Sequence, residues 1–286
     1  MKTSNHLLRR LTAALLAAVL ALSIALPVFA SDDGDTIYIN SVSDLLSLAR
    51  NCAYDQWSVG KTVILQKDLS LEGMLWEPIP SFSGQFKGSG HTISDLTITG
   101  QYSPAGLFGI VEEQGSIESL SVRGVVSVSD SADTTTGGIV GINHGTLINC
   151  QFTGVVTGDS EVGGIVGRNE SEGTIDHSTA RAIVTGKSST GGIAGYNLGA
   201  ITGCTNVGSI NTEYPEASLD TDGFTAKMVD YINNKMAAAA DDATNSVTNV
   251  ATDTGGVAGR SSGMILTSVN TGTIGYEHVG YNVGGI

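Results

Sequence analysis

The chain of 286 residues contains 38 glycines, only 15% charged residues and a formal net charge of −14. That charge argues against binding to nucleic acid or to an anionic membrane surface, because both partners require a basic protein surface. Three cysteines do not make a disulfide framework, and so much glycine with so few charges is unusual for a globular enzyme.

Residues 1–30 have the pattern of a secretory signal peptide. Lys2, Arg9 and Arg10 form a basic start, and an apolar run follows from 11 to 26. The segment 28–30 then places small residues where a signal peptidase cleaves. We expect export to the extracellular space, with no membrane insertion after signal removal. A retained anchor is the alternative.

The segment after the signal predicts a strand over 37–39 and a short helix over 41–53. Ser41 and Asp44 have the spacing of a capping box. One face of the helix is apolar, and it carries Leu45, Leu48, Ala49 and Cys52. Such a helix would cover the open first strands of a sheet, which otherwise invite pairing between chains.

A glycine-rich repeat dominates the rest of the chain. Five segments align, and a sixth ends at Ile286. They are AGLFG (105–109), GGIVG (137–141), GGIVG (163–167), GGIAG (191–195), GGVAG (255–259) and GGI (284–286). Successive copies lie 26 to 32 residues apart, except for one step of 64, which is either two units or one unit with an insertion. Each unit has short Ile, Val and Thr runs between Gly, Asn and Asp, which is typical of strands joined by tight turns.

Units this short cannot bury an apolar face alone, so we expect them to stack as successive coils. Equivalent residues then form columns through the stack. The predicted columns are an inward aliphatic one (Ile117, Leu147, Ile175, Ile201, Ile265), a second inward one (Leu120, Cys150, Ser178, Cys204, Ser268), a turn position (Ser119, Asn149, His177, Gly203, Thr267) and a hydrogen-bonded polar one (Asn143, Asn169, Asn197, Ser261). In this alignment Gly138, Gly164 and Gly192 also lie in line.

These segments resemble the GLUG motif of bacterial surface proteins, which include adhesins and some IgA-cleaving metallopeptidases. The stretch FSGQFKGSGHTISDLTI (82–98) also resembles the opening coils of right-handed β-helix surface proteins. The resemblance implies an all-β fold, a right-handed parallel β-helix (β-solenoid). The residue patterns add a short N-terminal capping helix and a helical insertion. The predicted domains are the signal peptide 1–30, the cap and first coils 31–103, and GLUG-type repeats over 104–286.

Residues 211–253 interrupt the repeat, and apolar residues recur there at helical spacing. They are Phe224, Met228, Tyr231, Ile232 and Met236. We expect a helix over about 223–240 that packs on the flank of the solenoid, outside the coil stack. A helix that binds a membrane or a partner is the alternative. Because the sequence ends inside a repeat, we also expect it to be a fragment of a longer protein.

The sequence predicts no catalytic, cofactor-binding or metal-binding residues and no cofactor. None of the five histidines lies in the H-E-x-x-H spacing of a zinc peptidase. The outward column beside the aliphatic one would place Glu118 and Asp176 two strands apart, about 10 Å, with Ile148 between them. This distance is wide for a glycosidase pair.

Other charged residues give no clearer site. The turn acids Asp159, Glu161, Glu170 and Glu172 are expected to be solvated, and His177 beside Asp176 is expected to be a turn residue. The arginines are expected to be too scattered for an anion site; they are Arg123, Arg168, Arg181 and Arg260.

The leading hypothesis is a non-enzymatic, secreted or cell-surface, adhesin-like solenoid. It would bind a host or cell-wall glycan or protein through exposed turns and the insertion. A carbohydrate-active β-helix lyase or hydrolase is one alternative, and an N-terminal spacer of a larger surface enzyme is another. The three cysteines are expected to be buried free thiols, because Cys150 and Cys204 lie two strands apart, beyond the reach of a disulfide.

Overall fold

The computed structural model describes residues 35–54, 56–128, 134–212, 224–234, 252–275 and 283–286. The predicted signal peptide lies outside these ranges. Residues Thr36–Ile286 form one compact unit, a parallel β-solenoid of about seven turns. The predicted all-β solenoid class is confirmed.

The elements follow the chain in short segments. The first coils contain β1 (Thr36–Ile39), α1 (Val42–Asn51), β2 (Thr62–Leu65), β3 (Leu69–Ser70), β4 (Ile79–Phe82), β5 (Gln85–Lys87), β6 (Thr92–Gly100), β7 (Phe108–Val111), β8 (Ser116–Glu118) and β9 (Ser121–Val128). The middle coils contain β10 (Thr136–Gly137), β11 (Val140–Asn143), β12 (Thr146–Ile148), β13 (Gln151–Thr157), β14 (Val162–Gly163), β15 (Val166–Asn169), β16 (Thr174–Asp176), β17 (Thr179–Thr185), β18 (Ser188–Gly191), β19 (Ala194–Asn197) and β20 (Ala200–Thr202). The last described coils contain β21 (Thr205–Asn206), β22 (Ser209–Ile210), the helix α2 over 226–234, β23 (Thr252–Gly255), β24 (Ala258–Ser261), β25 (Met264–Leu266), β26 (Val269–Asn270) and β27 (Val283–Gly284).

Four parallel sheets run along the stack. Sheet 1 contains β1, β2, β5, β8, β12, β16, β20 and β25; sheet 2 contains β3, β6, β9, β13, β17, β21, β22 and β26; sheet 3 contains β4, β7, β11, β15, β19 and β24; sheet 4 contains β10, β14, β18, β23 and β27. One coil passes through sheets 2, 4, 3 and 1 in that order, as β13, β14, β15 and β16 do. Every strand therefore pairs with its counterpart in the next coil.

The predicted inward columns are confirmed by the strand register. Leu147 pairs with Ile117 on one side and Ile175 on the other, and Ile175 pairs with Ile201, all fully buried. The turn position between the two inward columns is also confirmed, because all five of its residues have a positive φ, from 46° to 61°. A left-handed backbone there turns the chain sharply from sheet 1 into sheet 2.

The glycines of the repeat motif lie where the backbones of neighbouring coils come closest. A Cβ on Gly164 would lie 2.2 Å from the carbonyl oxygen of Gly192, and one on Gly138 would lie 2.4 Å from that of Gly164. The predicted alignment of these three glycines is therefore confirmed. The preceding glycine has a different role, since a Cβ on Gly163 would strike the carbonyl oxygen of Val166 in the adjoining sheet 3 strand. The glycine thus lets the backbones of β14 and β15 approach closely where the coil passes from sheet 4 to sheet 3.

The polar column is confirmed as a buried amide ladder. The Asn143 side-chain nitrogen donates to the Asn169 side-chain oxygen at 2.8 Å, and Asn169 donates to Asn197 at the same distance. Asn197 donates to the Ser261 hydroxyl at 3.1 Å. The three asparagines are fully buried, so each rung satisfies amide groups that water cannot reach.

The N-terminal helix has its predicted cap and apolar face. Ser41 accepts a hydrogen bond from the Asp44 amide, and Asp44 accepts one from the Asn40 amide. Leu45, Leu48 and the following Cys52 are buried in the main core. The helix contacts β1 and β4, so its apolar face extends the core beyond the first strands.

The step of 64 residues is one coil with an insertion. Gly191 pairs directly with Gly255, and Tyr196 pairs directly with Arg260. Asn211 remains part of the coil, since its side chain donates to the Thr254 hydroxyl at 3.0 Å. The predicted helix is confirmed over 226–234, outside the coil stack. Residues 224 and 225 precede it without helical structure, and the rest of the predicted range, 223 and 235–240, lies outside the described residues.

Candidate functional site

The acids of the sheet 1 outer face lie where the alignment placed them. Ile148 pairs with Glu118 on one side and with Asp176 on the other, so its strand lies between the two carboxylates. Asp176 instead contacts His177, with 2.8 Å between its oxygen and the imidazole Nδ1. The imidazole is 69% exposed. The pair is a surface contact at the turn, and the distant Glu118 does not complete a two-carboxylate centre with it.

Three of the four turn acids are ion-paired, so the prediction that they are solvated is wrong for those three. Asp159 pairs with Lys187, and Arg168 bridges Glu161 and Glu170. The side chains of the three acids are only 15% to 22% exposed. These partners lie on neighbouring turns and strands, which sequence spacing alone did not bring together.

Arg168 is the centre of this network. Partial burial acts to lower the pKa of its guanidinium, but the hydrogen bond to Glu170 and the charge of Glu161 outweigh burial and leave the pKa raised. Arg168 therefore remains charged, and its two carboxylate neighbours neutralise it.

Two of the arginines expected to be scattered lie on one strip of sheet 3. Tyr196 pairs with Arg168 in the preceding coil and with Arg260 in the following one. Both guanidinium groups contact the tyrosine ring, at 5.1 Å for Arg168 and 5.7 Å for Arg260 from the ring centre. The prediction of scattered arginines is wrong here. The three residues, which we call the Arg–Tyr–Arg strip, project outward from β15, β19 and β24.

The sequence did contain a signal for this strip. Each member follows the last glycine of its repeat motif directly, in GGIVGR, GGIAGY and GGVAGR. The same outward column contains Ile142 and Ile110 in earlier coils. An alignment of outward as well as inward positions would have placed Arg168, Tyr196 and Arg260 together, despite the 64-residue step between the last two.

The insertion helix α2 packs on the outer face of sheet 2. Its Met228 and Ile232 are buried against a small apolar patch. The patch is a column of outward residues on three successive strands, namely Val125, Val155 and Ile183. The preferred prediction, a helix on the solenoid flank, therefore holds for the described part of the insertion.

A buried carboxylate anchors the start of this helix. One oxygen of Asp95 accepts hydrogen bonds from the amide and hydroxyl of Thr225, at 3.2 and 3.0 Å, and the other accepts from Ser70 and Ser94. Asp95 lies at a register shift in β6 with φ of 60°. Burial acts to raise the pKa of Asp95, but these hydrogen bonds outweigh it and lower the pKa. The anionic form thus holds α2 to sheet 2.

The turns between sheets 3 and 1 form a shallow groove. The turn 170–173 is two residues longer than the turns 198–199 and 262–263 beside it. Glu172, Leu198 and Met264 line the resulting depression. Met264 is 53% exposed, so the groove presents an apolar side chain next to an acidic turn.

Within the described ranges, no three His, Cys, Asp or Glu side chains cluster as metal ligands would. Among the helices of those same ranges, none has the length and apolar character needed to cross a membrane.

Comparison with known proteins gives matches in both sequence and structure. The sequence profile of the GLUG motif matches residues 158–185. Halomucin of Haloquadratum walsbyi is 31% identical over 155 residues, which cover 50% of this chain and 2% of that protein. A “Putative Gly-rich membrane protein” of Evansella cellulosilytica is 28% identical over 137 residues, or 35% of this chain and 16% of that protein.

The chain thus spans a small part of either relative. A crystal structure of a “putative immunoglobulin A1 protease” from Bacteroides ovatus superposes with a TM-score of 0.56 at 19% identity, over 87% of this chain and 70% of that one. This likeness concerns the fold. The matched segment 158–185 holds one complete coil, from the turn before β14 to the end of β17, which identifies the chain as a β-solenoid that carries the GLUG motif.

Proposed function

We propose that this protein is a secreted or cell-surface, non-enzymatic β-solenoid that binds an extracellular glycan or protein through its exposed turns, outer strips and insertion. The observation that carries the proposal is the contrast between inward and outward positions of the same strands. The repeat keeps the inside nearly constant and varies the outside.

The contrast is clearest in sheet 1. Its inward column is aliphatic in five successive coils, whereas the adjacent outward column differs in every coil. The outward residues are Glu118, Ile148, Asp176, Thr202 and Leu266. In sheet 3 the amide ladder is inward, while the outward column changes from isoleucine to arginine and tyrosine. A regular interior with an irregular surface is the composition expected of a scaffold that presents binding groups.

The location is supported by the signal-like segment 1–30 and by the names of the relatives. The names of the two relatives, halomucin and a “Putative Gly-rich membrane protein”, suggest a surface or extracellular location, and each shares sequence with part of this chain. Protease treatment of intact cells tests the location: the protein should be degraded while a cytoplasmic marker survives. Equal survival of both would reject it.

Binding is tested on an array of glycans and extracellular matrix proteins with the purified protein. Retention on a defined set of ligands would support the proposal, and uniform failure to bind would count against it. A double variant, with Glu172 and Met264 of the turn groove both replaced by alanine, tests whether the groove is the binding site. Both side chains are exposed, so loss of a ligand without a change in folding would assign that ligand to the groove.

The Asp176–His177 contact favours one second candidate, a carbohydrate-active enzyme. An exposed imidazole beside a carboxylate on an open parallel sheet could transfer a proton to a bound sugar. The expected result for the non-enzymatic proposal is no release of reducing ends or unsaturated products from acidic or neutral polysaccharides, with or without calcium. Turnover that disappears in Asp176→Ala or His177→Ala would instead establish the enzyme.

The role of a spacer in a larger surface enzyme also stays a proposal. The Bacteroides ovatus protein is described as a protease, and at 19% identity its activity does not transfer to this chain. Activity measured on the full-length gene product, with and without these coils, would distinguish a spacer from a binding module.

A further inference from the structure

We infer that the Arg–Tyr–Arg strip of sheet 3 is a binding site for a sugar that carries one carboxylate, of the uronic or sialic acid type, with Arg260 as the anion contact. The inference rests on the proposed function in one respect only, that the ligand is an extracellular glycan. The site itself is argued from contacts on three successive strands.

The two ends of the strip differ in charge balance. Arg168 is held between Glu161 and Glu170, whereas Arg260 makes no ion pair with any residue of the described ranges. Arg260 is exposed, and its guanidinium carbon lies over the ring of Tyr196, 5.7 Å from the ring centre. Among the described residues the charge of Arg260 is therefore available to an anionic ligand, beside an aromatic ring.

Tyr196 fixes the orientation of this free guanidinium. A cation–π contact holds the group near the ring, and its N–H donors can still hydrogen-bond to a ligand. These donors match both oxygens of a carboxylate, which guanidinium groups bind in a bidentate manner.

The other groups of the strip select the rest of the ligand. Glu161 and Glu170 lie about two strands, or roughly 10 Å, from Arg260, and carboxylates accept hydrogen bonds from hydroxyl groups. The same carboxylates would repel a ligand that carries several negative charges, such as a phosphorylated peptide or a highly sulfated glycan. A ligand with one carboxylate and many hydroxyl donors fits both ends.

The test is titration of the purified protein with glucuronic acid and with N-acetylneuraminic acid, followed by ligand-observed NMR. The methyl ester of glucuronic acid, which lacks the charge, and inorganic phosphate are the comparison ligands. We expect saturable binding of one or both acids, and at least tenfold weaker binding of the ester and of phosphate. Which acid binds more tightly identifies the type of sugar.

Variants assign the binding to the strip. Arg260→Gln should weaken binding about tenfold or more, since a charged hydrogen bond contributes about 1.5–3 kcal/mol. Tyr196→Phe should keep the affinity, and Tyr196→Ala should lower it, because the ring rather than the hydroxyl positions Arg260. The matched control is Arg181→Gln, which removes an exposed arginine from the outer face of sheet 2 and should have no effect.

Several results would overturn the inference. They are the absence of saturable binding by either acid, equal binding of the ester, or equal losses in Arg260→Gln and Arg181→Gln. Failure of the proposed location is a separate outcome. A protein found inside cells that still binds acidic sugars through Arg260 would refute the location and keep the site, whereas a surface protein without such binding would do the reverse.

Discussion

Replacing Asn169 by alanine removes the central rung of the buried amide ladder. The Asn169 side chain accepts from Asn143 at 2.8 Å and donates to Asn197 at 2.8 Å and to the Gly173 carbonyl at 3.1 Å. After truncation, Asn143 still donates to the carbonyl of Gly145. The side-chain oxygen of Asn197 keeps no donor among the described contacts.

The expected loss follows from this inventory. Two ladder bonds contribute about 1 kcal/mol each, and one buried acceptor left without a partner costs about 1–3 kcal/mol. The free energy of unfolding should therefore fall by about 3–5 kcal/mol. With a urea dependence of about 3 kcal/mol per molar, the unfolding midpoint should fall by about 1–1.7 M urea. Circular dichroism and tryptophan fluorescence should both be followed, because solenoids can unfold in stages.

The control for this prediction is Asn233→Ala, which truncates an exposed asparagine on α2. Its midpoint should move by less than about 0.2 M, since surface substitutions rarely change the free energy of unfolding by more than 0.5 kcal/mol. If Asn169→Ala shifts the midpoint no more than this control, the ladder does not stabilise the fold as argued. A change in the slope of the transition, with an unchanged midpoint, would also contradict the argument.

Three further predictions test other parts of the molecule. Gly164→Ala should prevent soluble folding or lower thermal stability strongly, because its Cβ would lie 2.2 Å from a carbonyl oxygen, whereas Asn233→Ala on the exposed face of α2 should be tolerated. Equal behaviour of the two in a thermal melt would refute the close-packing argument. Asp95→Asn should increase amide hydrogen exchange in 226–234 about tenfold. Lowering the pH of the wild type through the depressed pKa of Asp95 should have the same effect, since the stabilisation is present above the unfolded pKa of about 3.9 and is lost below the folded one. Unchanged protection would mean that the carboxylate does not anchor α2. Burial raises the pKa of Cys150 to about 12 and that of Cys204 to about 11, so three thiols should react in denatured, unreduced protein but few in the native state. Stability should fall as the pH rises above about 9, where thiols of the unfolded chain ionise. A single reactive thiol after denaturation would indicate a disulfide and a different register.

The sequence was sufficient to predict the interior of the solenoid. Inward positions face the same environment in every coil, so selection for packing repeats the same residue types, and the period is visible by alignment. Leu147 lies between Ile117 and Ile175 for that reason. The positive-φ turn containing His177 and Gly203 was equally visible, because few residues adopt that conformation without strain.

The outer surface could not be predicted to the same degree. Arg168 bridges Glu161, which precedes sheet 4, and Glu170, which follows sheet 3, and no spacing rule describes that contact. The anchor between Asp95 and Thr225 joins residues 130 positions apart, and it depends on a bulge in β6. Such contacts come from three-dimensional packing of non-repeated segments, which a period in the sequence does not encode.

The direct pairing of Gly191 with Gly255 has a consequence for how the coil tolerates added sequence. Since Asn211 and Thr254 are held by a 3.0 Å hydrogen bond, the chain leaves and re-enters the solenoid at neighbouring points, and the closed coil does not depend on the length of what lies between. The entropy cost of a longer loop grows only with the logarithm of its length. This junction is therefore a natural graft point, at which a foreign peptide or a small folded module could be displayed on a stiff protein support without a change in the register of the coils on either side.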